Sequence, residues 1–333
     1  MNLAPMRVLV TGATGFVGGQ LVPELCRLGL ELRLLVRDRR KAQRWSAAGA
    51  ELVEGDLFDA PALARGCVGV DAVLHVAGLT KTWRAAEFER VNVEGTRQLA
   101  QAAVNAGVGR FLLVSSLAAA GPSGPDRPRT EEDPPAPVSA YGRSKLGGER
   151  VASEVLAARG VRLAILRPPI VYGEGDRDFF VVFQQVARGL VPLVGGRAAL
   201  EKRFSLVHVR DLARGLAGAV ARADLEGSYF LPGPQDASFG EVIALAGRAV
   251  GRQPRMPPVP AWLAWPVALA LESAASALRK TTIVSRDKLT EAAQPGWACS
   301  GDRARAAFGY APSIALEEGF ASAVAWYRKE GWL

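Results

Sequence analysis

The sequence predicts an α/β fold, with a doubly wound parallel sheet and a smaller, mainly helical C-terminal lobe. Short apolar runs alternate with helix-patterned segments over the first 170 of the 333 residues. The centres of these runs are apolar, as expected for strands that are buried on both faces of a parallel sheet. The connections are short, which favours right-handed crossovers with helices on both faces.

The elements follow each other in a regular order up to residue 170. Strands are predicted at 7–12, 31–37, 51–56, 71–78, 110–116 and 162–169. Apolar residues at helical spacing predict helices at 16–29, between Phe88 and Gly107, and at 140–159. Later helices are predicted near 178–189, 209–222, 239–250 and 315–329, with two isolated strands near 203–209 and 228–231.

The fading of this alternation beyond residue 170 predicts two lobes. We expect the sheet domain to comprise residues 1–170 plus 209–235, and the smaller lobe to comprise 171–208 plus 236–333. The short apolar run near the N-terminus is interpreted as the first buried strand and not as a signal peptide.

Composition excludes several classes of protein. Lys and Arg total 41 against 33 Asp and Glu, but they are scattered, so no nucleic-acid surface is indicated. Cys26, Cys67 and Cys299 have no CxxC spacing and form no disulfide framework, which indicates a reducing, cytoplasmic compartment. Two histidines exclude a His-rich zinc site, and no metal is predicted. A homodimer is left open.

A glycine-rich turn, TGATGFVG, joins the first strand to the first helix. Gly12 permits the tight turn, Gly15 lets the backbone approach a pyrophosphate, and Gly18 lets the helix pack closely on the strand. The helix N-terminus offers free N–H groups and a positive dipole end to phosphates. The spacing is GxxGxxG instead of GxGxxG, but its place between a strand and a helix predicts dinucleotide binding.

The ends of the next strands suggest the coenzyme. Arg37 occupies the expected tip of the second strand, where a guanidinium suits a 2′-phosphate, so NADP(H) is favoured over NAD(H). In the alternative, Arg37 is solvated and Asp38 takes the adenosine ribose. Asp56 is placed to accept a hydrogen bond from the adenine amino group, and Ala77-Gly78 is placed to pass under the cofactor.

Tyr141 and Lys145 lie one helical turn apart in YGRSK, on the same face of a helix. A nearby ammonium is expected to lower the pKa of the phenol. Tyr141 would then exchange a proton with a substrate oxygen near neutral pH. Ser116, at the tip of the fifth strand, is expected to hydrogen-bond the same oxygen.

The motifs TGATGFVG, HVAG, VSS, YGRSK and RPPIVYG resemble, in order and spacing, the extended short-chain dehydrogenase/reductase superfamily. This group contains NAD-dependent epimerase/dehydratases and 3β-hydroxysteroid dehydrogenase-like enzymes. The segment GWACSGDRARAAFGYAPSIALEEGF is similar to its C-terminal signature, so the resemblance covers essentially the whole chain. It implies a Rossmann domain that binds the dinucleotide and a second lobe that binds the substrate.

The resemblance also implies residue roles. It makes Tyr141 the catalytic acid/base, Lys145 the ligand of the nicotinamide ribose, and Ser116, rather than Ser115, the substrate-orienting serine. Asn92 matches a family asparagine, although a helix-packing role is an equal alternative. The predicted catalytic residues are Tyr141, Lys145, Ser116 and Asn92. The predicted cofactor-binding residues are Gly12, Thr14, Gly15, Phe16, Val17, Gly18, Arg37, Asp56, Leu57, Ala77, Gly78, Tyr141, Lys145, Pro168, Pro169 and Ile170.

Two substrate classes compete. A nucleotide sugar would require arginines aimed at its pyrophosphate. The position four residues before His208, where sugar epimerases commonly have an arginine, is Phe204, although Arg197, Arg203 and Arg303 remain candidates. The apolar run 256–278, with two tryptophans, favours a hydrophobic alcohol or ketone, and is interpreted as a buried helix, a substrate wall or a helix on a membrane.

These observations predict an NAD(P)-dependent oxidoreductase that transfers hydride between nicotinamide and a secondary alcohol or ketone. The preferred substrate is hydrophobic, as in the 3β-hydroxysteroid dehydrogenase-like branch. One alternative is a nucleotide-sugar epimerase/dehydratase that retains NAD. A second alternative is a non-catalytic dinucleotide-binding or redox-sensing module, against which the intact set of serine, tyrosine and lysine argues.

Overall fold

The computed structural model describes residues 5–260, 262, 265, 266, 268–271 and 286–333. Its strands are β1 (Arg7–Thr11), β2 (Glu31–Val36), β3 (Glu51–Glu54), β4 (Ala72–His75), β5 (Arg110–Val114), β6 (Arg162–Arg167), β7 (Ile170–Tyr172), β8 (Leu193–Val194), β9 (Arg203–His208), β10 (Gly227–Phe230), β11 (Asp236–Ser238) and β12 (Pro258–Val259). Seven of them form one parallel sheet in the order β10-β6-β5-β4-β1-β2-β3. The predicted doubly wound fold is confirmed.

Helices connect and cover these strands. They are α1 (Phe16–Arg27), α2 (Arg39–Ala47), α3 (Ala60–Cys67), α4 (Ala85–Phe88), α5 (Gly95–Asn105), α6 (Leu117–Ala120), α7 (Ala140–Ala157), α8 (Phe180–Arg188), α9 (Val209–Ala221), α10 (Phe239–Val250), α11 (Arg286–Ala293), α12 (Asp302–Phe308) and α13 (Leu316–Lys329). A π-helical segment, Glu89–Glu94, joins α4 to α5, and a 3₁₀ turn spans Arg197–Glu201. None of the helices in the described part of the chain has the length and apolarity needed to cross a bilayer.

The central strands are buried on both faces, which explains their apolar sequences. Along β5, Phe111 and Leu113 pack into the core on one face of the sheet, whereas Leu112 and Val114 pack into the core on the other. This alternation follows from the two-residue repeat of a strand. With both faces covered by helices, the edge formed by the strand ends is left for function.

The smaller lobe is built around a cluster of aromatic rings. Phe183 is fully buried, and its ring centroid lies 5.2 Å from that of Phe320 and 5.7 Å from that of Tyr327. This cluster joins α8 and α13 over a three-stranded sheet in the order β11-β9-β7. Parallel pairing of β12 with β8 adds a separate two-stranded sheet.

The expectation that the strands near 203–209 and 228–231 are isolated is wrong. The first is β9, the centre of the three-stranded sheet, and the second is β10, which pairs with β6 at the edge of the main sheet. The partners of β9 are hard to identify from the sequence because β7 and β11 have only three residues each. The partner of β10 is hard to identify because β6 lies about sixty positions earlier in the chain. Since α9 packs on α1, residues 209–230 contact the sheet domain; the division into two lobes stays a prediction.

Candidate active site

The candidate residues lie on one edge of the sheet. Because β6, β5, β4, β1 and β2 are adjacent and parallel, their carboxyl ends are aligned at this edge. The segments that follow these ends contain, in the same order, Pro168, Ser116, Gly78, Gly12 and Arg37. The topology therefore brings together residues that are up to 156 positions apart in the chain.

The glycine-rich turn is compact enough to require its glycines. Gly12 has φ of +76°, and a Cβ there would lie 2.7 Å from the backbone nitrogen of Ala77. A Cβ at Gly18 would overlap the carbonyl oxygen of Gly12 and the backbone of Ala13. The turn and the first helix are thus packed backbone against backbone, which leaves α1 pointing at the edge of the sheet.

The N-terminus of α1 is free to bind an anion. Gly15 is its N-cap and supplies no side-chain acceptor, and the first turn contains no acidic residue. Thr14 and Gly15 are exposed, while Phe16 and Val17 are half-buried. By contrast, α2 is capped by the side chain of Asp38. The exposed amide groups and the positive end of the α1 dipole fit the pyrophosphate of a dinucleotide.

Replacing Gly18 by Ala is expected to weaken NADPH binding at least tenfold and to lower the free energy of unfolding by about 1–3 kcal/mol, because backbone must shift to admit the methyl group. Fluorescence titration and urea unfolding measure the two effects. Gly19→Ala is the matched control: its Cβ would meet only the end of the Arg44 side chain, at 3.4 Å. The control should bind NADPH normally and gain about 0.5–1 kcal/mol. Equal behaviour of the two variants would contradict the prediction.

The end of β2 presents an exposed basic residue, followed by an acidic residue that caps the next helix. Arg37 is exposed directly after β2. Asp38 is engaged in the cap of α2, where its Oδ1 accepts from the Arg40 amide at 3.0 Å and the Arg40 Nε lies at 3.4 Å. The hydrogen bond from the Arg40 backbone holds the pKa of Asp38 below its usual range. One oxygen of the carboxylate considered as the alternative ribose ligand is therefore engaged in the helix cap.

The third strand end is similarly ordered. Asp56 is exposed, and its Oδ1 accepts from the Phe58 amide at 2.8 Å. Leu57 is buried and packs against Gly95, where a Cβ would lie 2.9 Å from its Cδ1. Asp56 thus lies at the edge where the adenine ring is expected, while Leu57 anchors the turn to α5.

A buried hydrogen-bond chain orders the segment below the cofactor site. The Ala77 amide donates to Thr11 Oγ1 at 3.1 Å, and Thr11 Oγ1 lies 2.7 Å from His75 Nδ1. His75 Nε2 lies 3.0 Å from Thr96 Oγ1, which donates to the Asn92 carbonyl at 2.8 Å. Because the Thr96 hydroxyl donates its hydrogen to that carbonyl, it accepts from His75 Nε2, and His75 Nδ1 is the acceptor of the ring. Burial lowers the pKa of His75 to about 3, so the ring is neutral.

Asn92 is buried in the π-helical segment and contacts two elements of the site. Its Oδ1 accepts from the Leu79 amide at 2.8 Å, and its Nδ2 donates to the Leu79 carbonyl at 3.0 Å and to Ser144 Oγ at 2.9 Å. The carboxamide thus joins the loop after β4 to the helix of Tyr141. This geometry shows the packing role, and the catalytic role stays a prediction.

Ser116 and Tyr141 are brought together across the edge of the sheet. The hydroxyl of Ser116 lies near enough to that of Tyr141 to lower its pKa. Ser116 also caps α6, because its Oγ accepts from the Ala118 amide at 3.1 Å. The ring of Tyr141 packs on Phe88, with 5.8 Å between centroids. Ser115 points the other way, into the protein, so Ser116 is the serine that faces the tyrosine, and its role toward the substrate stays a prediction.

The pKa of Tyr141 moves opposite to the expectation. Burial raises it to about 12, and the charges of Glu291 and Asp178 raise it further, whereas the hydroxyl of Ser116 lowers it. The Nζ of Lys145 donates to the Val114 carbonyl, at 2.8 Å. At neutral pH the phenol carries its proton, which is the state that a proton donor requires.

Lys145 is buried beside the loop after β4. A Cβ at Gly78 would lie 3.5 Å from its Nζ, so the glycine gives the ammonium access to this loop. Burial lowers the pKa of Lys145 to about 8, and the negative charge of Glu149 opposes that fall. Pro168 and Pro169 are buried nearby; the Pro168 carbonyl accepts from Leu117, directly after Ser116, at 2.8 Å.

The residues considered for substrate binding are dispersed. Arg303 stacks on Tyr229 at 5.5 Å and lies beside Gly227, where β10 begins, so it is at the opposite edge of the sheet. Arg203 donates to the Asp236 carbonyl at 3.2 Å, and Arg197 is exposed in the 3₁₀ turn.

The apolar run is described only in part. Its large exposed side chains within the described residues are Met256, Trp262, Trp265, Leu269 and Leu271. The rest of 256–278 lies outside those residues, and the membrane contact stays a prediction.

Comparison with known proteins gives a consistent family match. The model of the NAD dependent epimerase/dehydratase family matches residues 8–229. A ceramide reductase of Caulobacter vibrioides is 35% identical over 331 residues, covering 98% of this chain and 96% of the relative. A 3β-hydroxysteroid dehydrogenase/Δ5→4-isomerase of Mycobacterium tuberculosis is 30% identical over 272 residues, covering 75% and 71%.

A solved structure gives the same result. The dTDP-glucose 4,6-dehydratase DesIV from Streptomyces venezuelae, with NAD and TYD bound, superposes with a TM-score of 0.78 at 27% identity, covering 98% of each chain. Its likeness extends over both the sheet domain and the C-terminal elements of this chain.

Proposed function

We propose, from the premise that the chain belongs to the NAD-dependent epimerase/dehydratase family, that it catalyses the NADPH-dependent reduction of a hydrophobic ketone to a secondary alcohol. The observation that carries the proposal is the convergence of Tyr141, Ser116 and Lys145 at the edge of the sheet where the glycine-rich turn also lies. A nicotinamide cofactor bound along this edge supplies the hydride.

The residues of this chain supply the remaining steps. The free amides of α1 bind the pyrophosphate, and Lys145 binds the nicotinamide ribose with an ammonium held against the Val114 carbonyl. Ser116 orients the substrate carbonyl. Tyr141 donates its phenolic proton to the carbonyl oxygen as negative charge develops there, which lowers the barrier to reduction.

The substrate proposal rests on the relatives and on the arginines. The ceramide reductase and the hydroxysteroid dehydrogenase are both named for lipid-like compounds, and the former is similar over nearly the full length of both chains. A sugar nucleotide would need cations near its pyrophosphate. Of the three arginines considered, Arg303 lies at the far edge of the sheet, whereas Arg197 and Arg203 are exposed and stay candidates. We therefore favour a long-chain or polycyclic lipid ketone.

The alternative is a sugar-nucleotide epimerase or dehydratase that retains NAD, and the likeness to DesIV supports it. Mass spectrometry of the purified protein and two assays separate the proposals. Consumption of NADPH with a long-chain keto amide or a keto steroid, without tightly bound NAD, supports the reductase. Bound NAD that survives purification, together with conversion of dTDP-glucose and no consumption of NADPH with the ketones, would reject it.

Replacing Arg37 by Ala is expected to weaken NADPH binding about tenfold or more, because a charge-assisted hydrogen bond to the 2′-phosphate is lost. NADH lacks that phosphate, so its affinity should stay unchanged. Titration of both coenzymes measures the ratio. The matched control is Arg65→Ala on α3, an exposed arginine far from the strand ends, which should keep the parental ratio. An unaltered ratio in the Arg37 variant would contradict the NADP assignment.

A further inference from the structure

A buried carboxylate lies behind the proposed catalytic groups, on their own helix. Glu149 is 3% exposed, and its partner Arg167 is 6% exposed. The Arg167 Nε donates to Oε1 at 2.9 Å, and its second terminal nitrogen donates to Oε2 at 2.6 Å. The Ser115 hydroxyl also donates to Oε1. Paired donation of this kind fixes both the position and the plane of a carboxylate.

The network connects the segments that form the site. Ser115 directly precedes the serine that contacts Tyr141, and Arg167 ends β6 directly before the paired prolines. Glu149 follows Lys145 by one helical turn on α7. One carboxylate therefore joins the ends of β5 and β6 to the helix that carries the tyrosine and the lysine.

Glu149 is an anion that raises the pKa of Lys145, although its partner Arg167, at the end of β6, offsets part of its charge. From β4, His75 is neutral, because burial and the lysine charge keep its pKa near 3. From α7, Tyr141 is a protonated phenol, and the negative charge of Glu149 raises the pKa of Lys145. The π-helical segment contributes an uncharged amide, Asn92. Burial acts in the opposite direction on Lys145, since it disfavours the ammonium.

We propose that Glu149 is a positioning residue for the oxidoreductase reaction: it keeps Lys145 an ammonium ion in a water-poor site and fixes the strand end that carries Ser116. The inference rests on the proposed function, because it assigns the ammonium a role in that reaction. Glu149 acts through these neighbours and from behind them, since its two oxygens are engaged by Arg167 and Ser115.

Removing the negative charge of Glu149 should change the pKa of Lys145 in a direction that can be tested. Without the carboxylate, the pKa of Lys145 falls further below its ordinary value, so at neutral pH a smaller fraction of the protein carries the ammonium. Cofactor binding and turnover should then recover as the pH is lowered. A purely structural defect reduces both quantities by the same factor at every pH.

The experiment compares Glu149→Gln with the parental protein. Glutamine keeps the shape and an acceptor for Ser115 but removes the charge. We expect the alkaline limb of NADPH binding, followed by fluorescence, and of kcat with a keto substrate to move to lower pH by about one unit. Glu149→Asp, which keeps the charge, should hold the parental limb. Glu154→Gln, on the exposed face of the same helix, is the matched control and should keep the alkaline limb of the parental protein.

A second variant separates charge from folding. Glutamine leaves the buried Arg167 without an opposite charge and is expected to lower Tm. The double variant Glu149→Gln/Arg167→Met removes both buried charges, so it should regain Tm and show a smaller acid shift than the single variant, because loss of the Arg167 cation offsets part of the lost anion. A folded Glu149→Gln variant with the parental limb, or a loss that is uniform over pH, overturns the proposal.

The binding readout needs no substrate, so the two proposals fail separately. If the parental protein binds NADPH but reduces no keto substrate, the proposed function is wrong. The pH dependence of NADPH binding would still test the effect of Glu149 on Lys145.

Discussion

Replacing Tyr141 by Phe is expected to lower kcat by about 10²–10⁴-fold while affinity for NADPH stays close to parental, since a positioned general acid supplies acceleration of that size. The phenol lies beside the hydroxyl of Ser116, and its pKa, raised to about 12 by burial, keeps the proton in place at neutral pH. Phenylalanine keeps the ring packed on Phe88 and removes only the hydroxyl. Steady-state kinetics with a keto substrate and a fluorescence titration with NADPH measure the two quantities.

The matched control is Tyr172→Phe. Tyr172 is 1% exposed in the aromatic cluster of the smaller lobe, and its hydroxyl has no hydrogen-bond partner among the described residues. Removing that hydroxyl should leave kcat unchanged and should not lower Tm. Retention of full activity by the Tyr141 variant would eliminate proton donation by this phenol. Loss of NADPH binding in the same variant would instead assign the ring a structural role.

The sheet was predictable from the sequence because its determinants are local. The strands alternate with helices, and each of the central strands has an apolar centre, as in VLV, AVL and FLLV. Glycines that terminate helices or open turns mark the boundaries between these elements. Shorter strands could not be predicted, because a strand of three residues, such as Ile170–Tyr172 or Asp236–Ser238, has too few positions to show a two-residue repeat.

The motif residues of the site were also predictable, but their electrostatics were not. Tyr141 and Lys145 share a helix face by spacing alone, and Ser116 follows a strand, so their convergence could be anticipated. The direction of the Tyr141 pKa depends on how deeply the ring is buried and on Asp178 and Glu291, which are distant in the chain. No pattern in the sequence shows that the Lys145 ammonium turns toward the carbonyl of Val114.

The supporting residues were missed for a related reason. His75 was counted only as one of two histidines, and Glu149 and Arg167 were passed over as helix and strand residues. Charged residues in such elements are usually exposed, whereas these two are buried as a pair. The available signal was the i, i+4, i+8 series of Tyr141, Lys145 and Glu149, which places a carboxylate on the buried face of the helix.

Replacing Lys145 by Met is expected to separate function from stability. NADPH affinity should fall about tenfold to a hundredfold, because hydrogen bonds from a charged group to the nicotinamide ribose are lost. Stability should change in the opposite sense at neutral pH. Burial lowers the lysine pKa from 10.5 to about 8, so below pH 8 the ammonium destabilises the folded state by about 3 kcal/mol. The Val114 carbonyl, which loses its donor, offsets about 1–3 kcal/mol of that gain.

The difference in the free energy of unfolding between the parental protein and the methionine variant should depend on pH. Between pH 8 and pH 10.5 the unfolded chain binds the proton more tightly than the folded one, so the parental protein gains stability as the pH rises. The methionine variant has no such gain, and its advantage should shrink by about 2 kcal/mol between pH 7 and about pH 9.5. Urea unfolding at both pH values measures it. The control Lys329→Met, at an exposed position, should differ from the parental protein by the same free energy of unfolding at both pH values. If the Lys145 variant also showed the same difference at both pH values, Lys145 would titrate as it does in water, and the argument from its burial would be wrong.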